Sequence, residues 1–418
     1  MTKVTRFSTA LRPHVLTKIE MLGYTDIVIG IPAFHTGESI VHVIKTVVKG
    51  IEQYYPHLKA LIVISDGGST DDTRDLARMV DPKSYNIESI VTIYRGVPGK
   101  GSGLRAVFEV ASFLRARAIA VFDSDLISIT PEWVRNILDP VFHGYDYVTP
   151  NYTRFKLDGT ITNTLAYNLT RALYGQRIRQ PIGGDFGISP ALVKHYLDQD
   201  VWDSDVARFG IDIWMTTSAI VGGFRLCQAK LGVKVHDRKD PASDLGPMLR
   251  QVVGTTFQLM ETYQDTWLKI RGSQEVPTLG DFEEQKAEAF EIDQANLVEY
   301  FRVGLSNFGG VWKNIIEERD FKIVQDLARG NKHKPFSMPV DTWVRIVYRY
   351  AGAFQTTPRQ RFKVLDTLTP LYYGRVASLV NELKEITQQE AERYFEEQAQ
   401  AFEGMKDYLI GIWKRKEA

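Results

Sequence analysis

Two aspartates one residue apart, Asp123-Ser124-Asp125, follow directly on the apolar run IAVF at 119–122. Carboxylate oxygens leaving a strand together suit a hard divalent cation such as Mg2+ or Mn2+, an ion commonly shared with substrate phosphates. Asp66 stands in the same relation to LIVIS at 61–65, and the run that follows it, Gly67-Gly68-Ser69-Thr70-Asp71-Asp72-Thr73, turns into a helix. Ser69 or Thr70 can cap that helix, with Asp71 and Asp72 in its first turn. Asp66 precedes the cap and is expected to stay free for a base or ribose contact. Gly96 to Gly103 (GVPGKGSG) is a glycine-rich loop opening a helix, with Lys100, Arg95 and Arg105 as cations. Backbone N–H groups at a helix start plus a lysine favour an anion such as diphosphate. It is not a Walker loop, because Lys100 is followed by Gly101 rather than Ser or Thr. Further on, Gly183-Gly184-Asp185 and Asp212 (in FGID) place acids at turns, and His236 ends the strand-like run GVKV.

These residues need a scaffold that gathers them, and the alternation of the chain supplies one. Short apolar runs at 27–31, 61–64, 90–94 and 119–122 read as buried strands. Between the first two, Ile40, Val41, Ile44, Val47, Val48 and Ile51 recur at helical spacing, and 71–80 and 103–114 also read as helices. Strand–helix alternation with short connections implies right-handed crossovers and a mostly parallel sheet covered on both faces. Ligands of such sheets gather at the carboxyl ends of the strands, where all four of these loops emerge. From Pro241 the pattern turns helical, at 247–269, 283–303, 311–327, 338–350, 358–383 and 388–414. The expected organisation is therefore an α/β catalytic domain over 1–240 and a helical C-terminal region over 241–418.

The chain has 418 residues, 44% hydrophobic and 24% charged, the proportions of a folded globular protein rather than a disordered or fibrous one. Its 51 Lys+Arg balance 51 Asp+Glu, so no global field draws it to nucleic acid or an anionic membrane, and anionic ligands must be captured locally. A single cysteine, Cys227, allows neither an internal disulfide nor a thiolate zinc site, and is expected as a buried core residue in a reducing compartment. No apolar run resembles a secretory signal or approaches the length of a membrane span, so a cytoplasmic protein is expected.

Taken in order, IPAFHTGES, SDGGSTDDT, VPGKGSGLR, FDSDL, RQPIGGDFGIS, FGID and KVHD resemble the nucleotide-diphospho-sugar glycosyltransferases of the GT-A fold. The resemblance covers about residues 26–250 and points to the retaining enzymes that make glucosylglycerate, mannosylglycerate and glucosyl-3-phosphoglycerate. It implies a Rossmann-like, mostly parallel sheet and a Mg2+- or Mn2+-dependent hexosyltransferase. Pro32, Ala33 and Glu38 would then line the nucleoside pocket, Asp66 would recognise the base and Lys100 would lie by the nucleotide. Asp125 and His236 would bind the metal, with Asp123 on ribose or metal-bound water. Gly184 and Asp185 would face the sugar, and Asp212 would sit near the reacting centre. Which of Asp212 and Asp185 could act as a nucleophile stays open beside a front-face route in which the leaving phosphate takes the acceptor proton. Residues 154–162 (RFKLDGTIT) resemble the acceptor loop of the mannosylglycerate enzymes, with Arg154 and Thr162 on the glycerate carboxylate and hydroxyls. Arg suits that role because it clamps a carboxylate through two parallel hydrogen bonds.

The glycine-rich threonine turn of the 3-phosphoglycerate enzymes is missing between Tyr152 and Arg179, which favours free D-glycerate as the acceptor. Arg154, Lys156, Arg177 and Arg179 keep 3-phosphoglycerate as the alternative. The expected partners are small-molecule donor and acceptor, with a homodimer as the assembly and no nucleic acid. Transfer to a lipid or polysaccharide, and a silent nucleotide-sugar sensor or scaffold, are the competing classes.

Overall fold

The structure is a computed structural model and describes residues 8–82, 86–235, 245–282, 287–330 and 335–414. It divides into two compact units, each discontinuous in sequence. The first comprises Met1–Thr153, Ile178–Asp237 and Val276–Ala287, and the second Arg154–Arg177, Arg238–Glu275 and Glu288–Ala418.

The first unit is built on an eight-stranded sheet. Strands β1 (Ile27–Ala33), β2 (Ala60–Asp66), β3 (Ile87–Ile93), β4 (Ala118–Val121) and β5 (Tyr147–Thr153) carry the apolar runs of the sequence. From one edge the order is Thr278–Leu279, Leu226–Val233, β5, Phe186–Ile188, β4, β1, β2, β3. Every pairing is parallel except those of Phe186–Ile188, which runs antiparallel to both β4 and β5. This is the mostly parallel sheet expected from the strand–helix alternation.

Alternation fixes the two faces. Ile27, Ile29 and Ile31 of β1 and Ile62 and Ile64 of β2 pack with Val43, Ile44, Val47 and Ile51 of the helix Ile40–Tyr54. Trp133, Val134, Ile137 and Leu138 close the same cluster. Each such side chain is fully buried and contributes about 1.5–3 kcal/mol relative to exposure. The helix Lys100–Phe113 packs on β1 and β2, with Leu104, Val107 and Phe108 buried. Cys227 lies in the sheet, and burial pushes its thiol up to about 12.

Register sets the functional edge. Ala33 pairs with Asp66, and Asp66 with Ile93, so three strand ends finish level. Gly30 pairs with Val121, which carries Asp123 and Asp125 past the end of β4 beside the last residues of β1. The antiparallel Phe186–Ile188 strand begins at this same edge, and that is why Gly184 and Asp185 arrive beside Asp123. Val233 pairs with Thr153 and delivers Lys234 there as well.

The second unit is helical, including Tyr167–Tyr174, Leu245–Thr262, Gln294–Ile315, Val340–Thr356, Thr369–Leu383 and Gln388–Gly404. The pattern change at Pro241 lies next to one crossing between the units, but residues 154–177 join the helical unit and 276–287 return to the sheet. The reason is burial. Residues 160–175 are buried without a break, although they include Asn163, Thr164, Asn168, Thr170 and Arg171. Several of their polar groups are satisfied within the helical unit, although Asn168 Oδ1 and Thr170 Oγ1 are buried without a hydrogen-bond partner. Trp343 Nε1 donates to Thr164 O (2.9 Å), Gln398 Nε2 to Asn163 O (2.6 Å), and Arg171 pairs with Glu396 and Glu403 at 2.7 Å each. Thr162–Ala166 forms a π-helical turn, and these donors take up carbonyls of that turn. Tyr372, Tyr373 and Arg375 are core residues of the same unit. Among the described residues no helix is long and apolar enough to cross a membrane.

Candidate active site

At the carboxyl edge of the first unit three carboxylates and two ammonium groups interlock. Asp123 lies between both cations: Lys100 Nζ donates to its Oδ1 at 2.7 Å and Lys234 Nζ to its Oδ2 at 3.0 Å. Lys100 also reaches Asp212 Oδ2 at 3.2 Å, and Lys234 reaches Asp185 Oδ2 at 2.9 Å and Gly183 O at 2.8 Å. Asp185 Oδ1 accepts the Asp123 N–H at 2.8 Å, and the Tyr152 hydroxyl donates to its other oxygen. With every group ionised the cluster carries three negative and two positive charges.

Local sequence explains each position. Lys100 is the first residue of its helix. A Cβ on Gly101 would fall 1.9 Å from Val206 O, so only glycine lets that helix start against the 206–208 segment. Gly184 has φ +93, and its Cβ would fall 2.0 Å from Asp123 Oδ2; the carboxylate occupies the space a side chain would need. Asp212 sits in the first turn of Ile211–Val221, where an acid is favoured by the helix dipole.

The electrostatics separate the three acids. Burial opposes the charge on Asp123, but the Lys100 and Lys234 ammoniums outweigh it and hold the carboxyl well below the usual range. Burial dominates at Asp185 and at Asp212 and raises both, against the pull of Lys234 on the first and of Lys100 on the second. Burial also works against the Lys100 ammonium, yet Asp123 and Asp212 more than offset it and keep the group above the ordinary lysine range. Asp185 is fully buried with both oxygens engaged. Asp212 differs: its Oδ1 is buried and has no hydrogen-bond partner. An orphaned carboxylate oxygen costs free energy unless something else binds there.

Residues 28–201 match the family described as glycosyl transferase family 2. The chain is 26% identical over 230 residues to the glucosyl-3-phosphoglycerate synthase of Mycolicibacterium paratuberculosis, covering 51% of this chain and 67% of that protein. It is also 26% identical over 240 residues to the enzyme of the same name from Mycolicibacterium smegmatis, covering 54% of this chain and 74% of that one. A solved glucosyl-3-phosphoglycerate synthase from Mycobacterium tuberculosis, in complex with Mn2+, UDP-glucose and phosphoglyceric acid, overlays with a TM-score of 0.43 at 22% identity. That overlay covers 61% of this chain and 88% of the other.

Within the first unit the expected residues fall as follows. Asp123, Asp185, Gly184, Lys100 and Asp212 converge. Asp123, expected on ribose or among the metal ligands, has one ammonium on each oxygen instead, so its charge is already compensated. Asp125 is half-buried and has no hydrogen-bond or ion-pair partner among the described residues, which leaves its carboxylate available to a cation. Its expected co-ligand His236 lies outside the described residues. Among those described, no group of three or more His, Cys, Asp or Glu forms a metal-binding cluster.

Asp66 is not free as expected. Its carboxylate is fully buried and accepts from Gly68 N–H (2.7 Å), Ser69 N–H (2.8 Å) and Ser69 Oγ (2.5 Å). A buried carboxylate at a strand end must be satisfied, and the N–H groups of its own turn are the nearest donors. The helix after it starts at Thr73, and Asp71, rather than Ser69 or Thr70, accepts the Thr73 N–H at 3.2 Å. Pro32 and Ala33 close β1, Glu38 is exposed, and Ser39 Oγ donates to Ser124 O at 2.8 Å, tying the β1 loop to the paired aspartates.

Arg154 and Thr162 belong to the second unit, where both flank Gly159 and Arg154 Nη1 contacts Asp158 Oδ2 at 3.2 Å. Lys156 Nζ donates to Lys384 O and Ile386 O (3.2 and 2.6 Å), and Arg177 pairs with Glu275 at 2.6 Å. Lys234 and Tyr152 were not singled out in the sequence. The signal for Lys234 was a lysine ending an apolar strand two residues before His236.

Proposed function

We propose that this chain transfers glucose from a nucleoside-diphosphate donor to the 2-hydroxyl of 3-phosphoglycerate, with retention at the anomeric carbon. The observation that carries the site is the unpartnered Asp212 Oδ1 inside a buried cluster that also holds Asp123 and Lys100. The support for the acceptor is the shared name of the relatives, at 26% identity. Free D-glycerate, favoured by the missing threonine turn, is the second reading.

In this account Lys100 lies against the donor diphosphate and Lys234 fixes the rotamer of Asp123. Asp123 accepts from a donor hydroxyl, and Asp212 Oδ1 accepts from the transferred sugar or faces its anomeric carbon. Electrostatic preorganisation of this kind supplies much of a transferase's rate enhancement. Arg154 and Thr162 bind the acceptor carboxylate and hydroxyl. Asp125 with His236 would hold a divalent cation, which when bound neutralises charge developing on the departing diphosphate. Asp185, with both oxygens engaged, positions Asp123 and does not attack.

Incubation with UDP-, GDP- and ADP-glucose, Mn2+ and 3-phosphoglycerate, followed by NMR of the product, tests this reading. An α-glucosyl product linked at the 2-hydroxyl is expected. Inverted configuration, or release of free glucose alone, would refute it.

A further inference from the structure

The β1 and β2 loops are laced together by successive backbone groups. His35 N–H donates to Ser69 Oγ (3.0 Å), Thr36 N–H to Thr73 Oγ1 (2.9 Å) and Gly37 N–H to Asp71 Oδ2 (3.3 Å). Two of these acceptors are themselves anchored, Ser69 Oγ on Asp66 and Thr73 Oγ1 on Asp71 at 2.6 Å. One strand of the lacing runs the other way and uses a side chain. Thr70 N–H donates to His35 Nε2 at 3.2 Å, and the Thr70 hydroxyl lies 3.1 Å from the same nitrogen. To present its ring there His35 adopts φ +52, a left-handed conformation uncommon outside glycine, and its imidazole stacks on the exposed Phe34 ring at 4.0 Å between centroids. Strain of this sort persists only where the surroundings hold it.

We propose that His35 is a positioning residue that holds the two loops of the nucleotide edge in register only while its imidazole is neutral. Nε2 can accept the Thr70 N–H only when it carries no proton. Protonation turns that nitrogen into a donor facing a donor, and the cross-loop bond is lost while the Thr70 hydroxyl stays within reach. Histidine is the side chain whose charge changes between about pH 5 and 8. The charged groups around it are Asp71 on the β2 loop, whose carboxyl is drawn downward chiefly by the Thr73 hydroxyl, Asp66 and Arg74 behind Ser69, and Glu38 on its own loop. The inference rests on the reading of this edge as the nucleotide site.

The test is calorimetric binding of UDP, GDP and ADP, each with Mn2+, at pH 8 and pH 5.5 to the wild type, His35→Asn and His35→Gly. Asn and Gly both tolerate the left-handed backbone, and neither titrates. Across this pH interval the wild type should lose affinity by about two- to ten-fold more than either variant, the size of one hydrogen bond. The same pH dependence in all three proteins would overturn the role of His35. Absence of nucleotide binding to the wild type at pH 8 would instead overturn the reading of the site.

Discussion

Asp212 keeps one carboxylate oxygen buried and unpartnered, and its raised affinity for protons follows from that burial. A group whose folded-state value is raised binds its proton more tightly folded than unfolded. Its stabilising contribution is therefore present at acid pH and lost as pH rises from the ordinary carboxylate value of about 3.9 through the folded one. Asp212→Asn should unfold at a higher temperature than wild type at pH 8, with the difference closing toward acid pH as the wild-type group protonates, and transfer should be lost. Differential scanning calorimetry across pH checks the first part and a coupled assay the second. Asp123 has the opposite sign: its lowered value gives stability above about pH 3.9 that is lost as pH falls. Lys234→Met leaves the buried Asp185 and the half-buried Asp123 without their shared cation and should cost about 3–5 kcal/mol in urea unfolding, the range for a broken buried pair. The residue types at this site were legible, because acids, glycines and Lys100 stood at strand ends. The partners were not. That Asp66 spends its carboxylate on its own turn, and that Lys234 occupies the second oxygen of Asp123, depend on atomic reach that spacing does not encode.

Elements place these side chains through register, and one antiparallel strand matters most. Phe186–Ile188 enters the sheet from the edge where the parallel strands end, which sets Gly184 against Asp123. Gly184→Ala should displace Asp123, lowering kcat/KM at least a hundredfold, while the positive φ costs about 1–3 kcal/mol of stability. Steady-state kinetics and denaturant unfolding of the variant measure the two. In the helical unit the π turn at Thr162–Ala166 relies on outside donors for its carbonyls. Gln398→Ala removes one of them and should raise the KM for acceptor with little change in donor binding; an equal effect on both would detach this turn from acceptor recognition. The parallel strands and their helices were legible from period alone. The antiparallel strand was not, since three residues, FGI, carry no period, and the burial of 160–175 was hidden by its polar composition.

For the whole chain, balanced charge is compatible with the proposed anionic substrate, because the cations at the site are Lys100 and the buried Lys234 at one sheet edge rather than a surface field. The length divides into two units, but Arg154 and Thr162, the residues proposed for the acceptor, fall in the helical one, and no cut near residue 240 could have anticipated that. Arg154→Ala should raise the acceptor KM by tenfold or more and leave the donor KM within about twofold, as expected for loss of a charge-assisted hydrogen bond of about 1.5–3 kcal/mol. The central claim concerns which acceptor this chain uses. Its most direct test is the ratio of kcat/KM for 3-phosphoglycerate to that for D-glycerate, measured with the preferred nucleoside-diphosphate glucose and saturating Mn2+. The account predicts a ratio well above one; a ratio below one, with D-glycerate glucosylated faster, would contradict it.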